Sequence, residues 1–243
     1  RIKDFSRDFE FFKDAPAEAS LEGFLFPDTY QFSLKASPEE ITRKILSNFD
    51  KKVTTNIREK ISRQKKTIFE IIIVASLIEK EIKTFEDKKL VSGILWKRLE
   101  KKMPLQIDAS ITYITGKKST RVSIEETKID SPYNTYKMKG LPLGPISNPG
   151  LESILAAVYP EESDYLYYLS TPGGETIFNK TFEKHKIALG IAAVVFIGGG
   201  IYAYRSYSTD AGTTRYVTAP AEKGTLIITV SGTGQVSSSN QIE

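Results

Sequence analysis

Residues Ile71–Ile78 read IIIVASLI, eight positions with a single hydroxyl and no charge, and the run passes directly into Glu79, Lys80 and Glu81. Thr67-Ile68-Phe69-Glu70 precedes it with the spacing of a capping box, so the stretch predicts a helix from Thr67 to Ile82. On that helix Glu79 shares a face with Phe69, Ile72, Ala75 and Ser76, and Glu81 shares one with Val74, Leu77 and Ile78. Both faces are apolar, so the helix has to be buried nearly all round until its last turn. A carboxyl at the edge of such burial loses solvation and its pKa rises, which suits a general acid near neutral pH. The competing reading is a solvated helix end where the glutamates pair with Lys80, Lys83 or Lys88. Acids are disfavoured at a C-terminal turn by the helix dipole, which leans against that reading.

The rest of the chain predicts mixed helices and short strands, an α+β fold. LEGFLFPDTYQF (21–32) reads as strand, turn, strand, after a Pro/Ala-rich linker over 14–20. Ser37-Pro38-Glu39-Glu40 opens a helix expected to run to about Ser62. Thr84 caps another, to about Lys102, and Met103–Gly116 reads as a short extended piece followed by a short helix or strand. Ser131–Gly150, with four prolines and three glycines among tyrosines and asparagines, is too long for a plain connector. Its side chains suit sugar hydroxyls and pyranose rings, with ordinary turn chemistry as the other reading. Leu151–Val158 reads as a short helix, and Tyr165–Ser170 and Thr176–Phe178 as a hairpin turning at Pro172-Gly173-Gly174.

Composition limits the chemistry. The chain has no cysteine and one histidine, His185, which removes disulfides and thiolate nucleophiles and leaves little for a Ser-His-Asp triad or a multi-histidine metal site. Carboxylates, hydroxyls and amides remain. A net charge of +4 is mildly basic and fits an anionic surface such as a membrane or wall polymer. No basic stripe interleaved with aromatics points to nucleic acid. The first residues, RIKDFSRDFEFF, read as mid-domain sequence rather than a leader, so the chain is read as a fragment. Ile187–Tyr204 holds 18 residues without a charge, about 27 Å as a helix at ~1.5 Å per residue, and is expected to span a membrane.

LEGFLFPDTY, VASLIEKE, LQIDASITY, SPYNTYKMKGLPLGPISNPG, AAVYP and YLYYLS, in this order and spacing, resemble the YceG-like (MltG) family of endolytic murein transglycosylases, over about residues 5–186. The resemblance implies a membrane-anchored bacterial enzyme whose catalytic domain faces the wall and acts on peptidoglycan glycan strands, with cell-wall synthases as candidate partners. Such an enzyme cuts the MurNAc-β-1,4-GlcNAc bond and leaves a 1,6-anhydro-MurNAc end. One glutamate of the ASxxEKE motif serves as acid and then base, and neither metal nor cofactor is implied. The expected catalytic residue is Glu79, with Glu81 as second choice. Glu22, Gln106, Asp108, Ser110, Tyr133, Asn134, Tyr136 and Asn148 match motif positions and are expected to bind sugar or brace the glutamate. Asp108-Ala109-Ser110 departs from the more usual Asp-Pro-Thr of the family but keeps a hydroxyl.

These readings divide the chain into a remnant of a LysM-like region (1–20), a YceG-like domain (21–186), the apolar span (187–204) and a β-prone tail (205–243). From Lys186 onward the sequence is similar to the start of a periplasmic adaptor (membrane-fusion) subunit of an efflux pump. Lys180, Lys184 and Lys186 place the near side of the span in the cytoplasm by the positive-inside tendency, at odds with an extracytoplasmic enzyme, so the tail is read as joined from a second protein. Two alternatives to the lyase stand beside it: a muramidase-type hydrolase of the same bond, and a non-catalytic wall-binding or adaptor protein.

Overall fold

A computed structural model of the chain describes residues 1–117, 121–171, 175–184, 186–187 and 201–206. The chain divides into two units, Arg1–Ile197 and Gly198–Glu243. In the second, residues 201–206 are described and are helical.

The first unit is built around the helix of the apolar run, α3 (Ile68–Glu81). Thr67 Oγ1 accepts the Glu70 amide and Glu70 returns a carboxylate to the Thr67 amide, so the capping box forms as the sequence predicts. Every residue from Ile71 to Ile78 is buried. Four more helices cover it: α2 (Thr55–Arg63), α4 (Phe85–Glu100), α5 (Asp108–Thr115) and α6 (Leu151–Val158). Each fully buried aliphatic side chain of this type contributes roughly 1.5–3 kcal/mol, so α3 is the largest single source of cohesion in the unit.

Residues 1–20 pack onto this same core rather than standing apart from it. Phe9, Phe11 and Phe12 form an aromatic cluster with Phe24 and with Phe49 of α1 (Pro38–Lys52), ring centroids lying 4.4–5.7 Å apart at its centre. Phe24 in turn stacks on Phe69 of α3.

Two expected elements differ. Residues 21–32 form no strand, because the Gly23 and Leu25 amides go to the side-chain oxygen of Asn148 instead of a neighbouring strand. The expected helix from Ser37 to Ser62 breaks into α1 and α2 at Val53-Thr54. Arg58 reaches back from α2 to the carbonyls of Val53 and Asp50 and to the Asp50 carboxylate, so its guanidinium satisfies the end of α1. The hairpin is present as β1 (Tyr167–Ser170) and β2 (Thr176–Asn179), antiparallel with Ser170 opposite Thr176. Its expected Pro172–Gly174 turn lies outside the described residues, as do residues 188–200 of the expected membrane span and 207–243 of the tail. Among the described residues no helix is long and apolar enough to cross a membrane.

Gly93 shows how closely the cover is fitted. It sits in the middle of α4, where glycine costs about 1 kcal/mol relative to alanine. A Cβ there would stand 2.0 Å from the Glu161 carbonyl oxygen, and the Glu161 amide is bonded to the Lys89 carbonyl on the same helix. Gly93→Ala is therefore expected to lower Tm by about 3–10 °C, the close contact outweighing the gain in helix propensity. A thermal melt showing a higher Tm would reverse this account.

Candidate active site

The two glutamates that end α3 have different surroundings. Glu79 turns toward α6 and α4. Its Oε2 accepts from Ser153 Oγ at 2.5 Å and from the Gly150 amide at 3.3 Å, and Lys88 Nζ lies 3.7 Å away. Lys88 is itself buried and also faces Glu152 at 3.5 Å. Glu79 thus ties the end of α3 to two neighbouring helices.

Glu81 turns the other way, onto a cleft of about 730 Å³ that is also lined by Asp108, Ala109, Thr112, Tyr113 and Ser170. It borders a second cleft of about 360 Å³ as well, shared with Arg98, Gln106, Tyr136, Tyr167 and Tyr168. Asp108 lines both, and Glu79 lines neither. Burial raises the Glu81 pKa from 4.5 to about 7, with the nearby Asp108 charge pushing the same way. One bond opposes them: the Ala109 amide, at the start of α5, donates to Glu81 Oε1 at 3.0 Å. That contact occupies one carboxyl oxygen and leaves Oε2 for a proton.

The other residues singled out by sequence fall into two groups. Gln106, Asp108 and Tyr136 border the clefts, and the Tyr136 hydroxyl donates to Asp108 Oδ1. Glu22 accepts from the hydroxyl of Tyr113 at 2.7 Å, and the Tyr113 and Tyr133 rings meet at 5.0 Å beside the larger cleft. Ser110, Asn134 and Asn148 lie instead among backbone. Asn134 is fully buried and donates to the carbonyls of Thr127 and Ile129 while accepting the Tyr136 amide. Ser110 Oγ meets the Ile107 carbonyl and Thr135 Oγ1. Asn148 holds residues 23–25. Ser76, the hydroxyl inside the apolar run, accepts the Ile146 amide, and its carbonyl accepts from Ser147 Oγ. These contacts fold residues 131–150 into a fixed wall beside Glu81.

Sequence reasoning passed over Arg98 and Tyr168. Arg98 is buried at the end of α4 and donates to the carbonyls of Leu166, Pro104 and Leu105 and to Gln106 Oε1, joining β1 to the entrance of α5. Tyr168, on β1, has its pKa raised by burial and then by the Glu81 charge. A cation in a helix's last turn reads from sequence as solvated, so nothing local announced Arg98. The aromatic YLYYLS pattern was the available signal for Tyr168.

The chain matches the YceG-like family over residues 2–189. It is 40% identical over 169 residues to an endolytic murein transglycosylase of Bacillus subtilis (strain 168), covering 69% of this chain and 47% of that protein. A protein of the same description from Streptococcus pneumoniae serotype 2 (strain D39 / NCTC 7466) is 36% identical over 179 residues, covering 71% of this chain and 32% of that one. The chain therefore spans about half of the first relative and about a third of the second. A crystal structure of a YceG-like protein from Listeria monocytogenes superimposes with a TM-score of 0.69 at 36% identity, covering 77% of this chain and 62% of that one.

The raised pKa of Glu81 has a consequence for stability. Between 4.5 and about 7 the unfolded chain ionises this group while the folded chain keeps it protonated. The folded state binds more protons there, so its stability falls as pH rises through that window. Glu81→Gln is expected to match the parent chain near pH 4.5 and to exceed its stability at pH 8 by at most about 3 kcal/mol. Melting both proteins across pH checks this, and a difference that does not grow with pH would contradict it.

Proposed function

This chain belongs to the YceG-like family, and from that premise we propose that residues 1–187 form a peptidoglycan lytic transglycosylase domain with Glu81 as its acid and base. Its substrate would be the MurNAc-β-1,4-GlcNAc bond within glycan strands, and its product a 1,6-anhydro-MurNAc end. The names of the Bacillus and Streptococcus relatives support the reaction. The observation that carries the choice of residue is the position of Glu81 at the meeting of two clefts, with a pKa near 7.

In the proposed reaction the protonated Glu81 gives its proton to the glycosidic oxygen as the bond to C1 breaks. Positive charge gathers on C1 and the ring oxygen, and Asp108, lining both clefts, offers a negative charge near it. Glu81, now a carboxylate, takes the proton of the muramyl 6-hydroxyl as that oxygen closes on C1. The atoms balance without water, so no second carboxylate is needed to activate one. Glu79, engaged by Ser153, Gly150 and Lys88, serves the junction of α3, α4 and α6 in this reading. The wall of residues 131–150 holds the strand against the acid. A membrane anchor and an extracytoplasmic site, as the resemblance implies, complete the proposal.

One observation favours a second reading. Asp108 lies close enough to raise the Glu81 pKa, and paired carboxylates are the tools of a hydrolase that activates water. Product mass separates the two, since a reducing muramyl end is heavier than the anhydro end by one water.

Digestion of purified peptidoglycan by the full chain is expected to yield anhydro-muramyl ends. Glu81→Gln is expected to lower kcat/KM by about 10²–10⁴-fold, and Glu79→Gln by less than about tenfold. Because the working form is the protonated acid, kcat/KM should fall as pH rises through about 7. Reducing ends, or a greater loss in Glu79→Gln than in Glu81→Gln, would sink the assignment.

A further inference from the structure

The two clefts beside Glu81 differ in charge. Lys80, Lys83 and Lys117 line the larger one. Lys117 is held by Glu126. Lys80 and Lys83 are exposed, and neither has an ion-pair partner among the described residues. Nor do they hold the acid, whose carboxylate accepts from the Ala109 amide and has no lysine partner among the described residues. In the smaller cleft the cation is Arg98, buried and committed to backbone carbonyls and Gln106, and four aromatic residues, Tyr136, Tyr167, Tyr168 and Phe182, are among its lining. One side of Glu81 therefore presents two uncommitted ammonium groups beside the single ring of Tyr113, and the other presents four aromatic residues and no uncommitted cation.

A β-1,4 strand of N-acetylated sugars carries no charge along its length. The acidic peptide attached through the muramyl lactyl group does. An ammonium on a flexible, exposed stem can follow carboxylates whose position varies from one peptide to the next. Aromatic faces suit the uncharged sugar ring.

We propose that Lys80 and Lys83 bind the carboxylates of the peptide carried by the muramyl residue, and that they thereby set which ring lies on which side of Glu81. The peptide-bearing muramyl ring occupies the lysine-lined cleft, and the N-acetylglucosamine beyond the scissile bond lies over the aromatic cleft. This rests on the reading of the domain as a peptidoglycan-cleaving one, and it adds that the peptide is part of what is recognised.

The test uses the full chain and the Lys80→Gln/Lys83→Gln double variant, with peptide-bearing strands and the same strands stripped of peptide by an amidase. The parent chain is expected to favour peptide-bearing strands in kcat/KM. That preference should shrink about three- to tenfold in the double variant, persist in Lys80→Arg/Lys83→Arg, and weaken with added salt. No preference in the parent, or an equal preference in the double variant, overturns the proposal. Equilibrium binding of soluble peptide-bearing and stripped muramyl oligosaccharides, measured in a Glu81→Gln background, reads the same preference without turnover. A chain that binds with this preference but cuts neither strand would refute the lyase reading and uphold the lysine assignment.

Discussion

A helix that is apolar on every side must be covered from every direction, and the covering elements have nowhere else to go. In this chain α3 is that helix, and α2, α4, α5 and α6 lie around it because its surface has to leave water. The same demand ends abruptly at the last turn, where Glu79 and Glu81 emerge in different directions. One finds hydroxyl, amide and ammonium partners on α6 and α4. The other meets a single amide and an open cleft. Two carboxyl groups two positions apart on one helix thus acquire different chemistry, set by which neighbours the apolar surface has drawn in.

Polar groups inside this apolar frame fix the irregular parts. Ser76 gives the core its anchor for Ile146 and Ser147, and Asn148 does the same for the amides of Gly23 and Leu25. Buried amides without such partners would be costly, so a segment with no strand or helix of its own is held as firmly as one that has. Asn134 completes the pattern by closing the turn that aims Tyr136 at Asp108.

Where structure depends on neighbours in sequence, it was legible in advance. The Thr67 and Ser37 caps, the starts of α3 and α1, the extent of α6 and the paired strands of the hairpin all follow from local cues. The break at Val53 was hidden because its cause is Arg58, whose side chain satisfies carbonyls that a continuous helix would have used itself. The absent strands at 21–32 were hidden because Asn148, far along the chain, takes their amides. Of the positions singled out by sequence, Gln106, Asp108 and Tyr136 border the clefts, while Ser110, Asn134 and Asn148 bond to backbone, a division that no local pattern announces. Helical periodicity gives Glu79 and Glu81 equally apolar faces, and only the return of Gly150 and Ser153 on one side and of Ala109 on the other tells them apart.

The bond between Asn148 and Gly23 closes a separation of 125 residues. Ser170 reaches the Glu81 carbonyl across 89 residues, and the Ala109 amide reaches the Glu81 carboxylate across 28. Such contacts form only after long loops have closed, a slow and entropically costly class of event. During synthesis, with the chain emerging from its N-terminus, the apolar helix therefore leaves the ribosome before α4, α5 and α6, which cover much of it. Its surface is exposed to other proteins for the whole of that interval, and Glu81 has no cleft beside it. The domain is consequently most prone to association while it is being made, and the cleft beside Glu81 is complete only once the hairpin strands arrive.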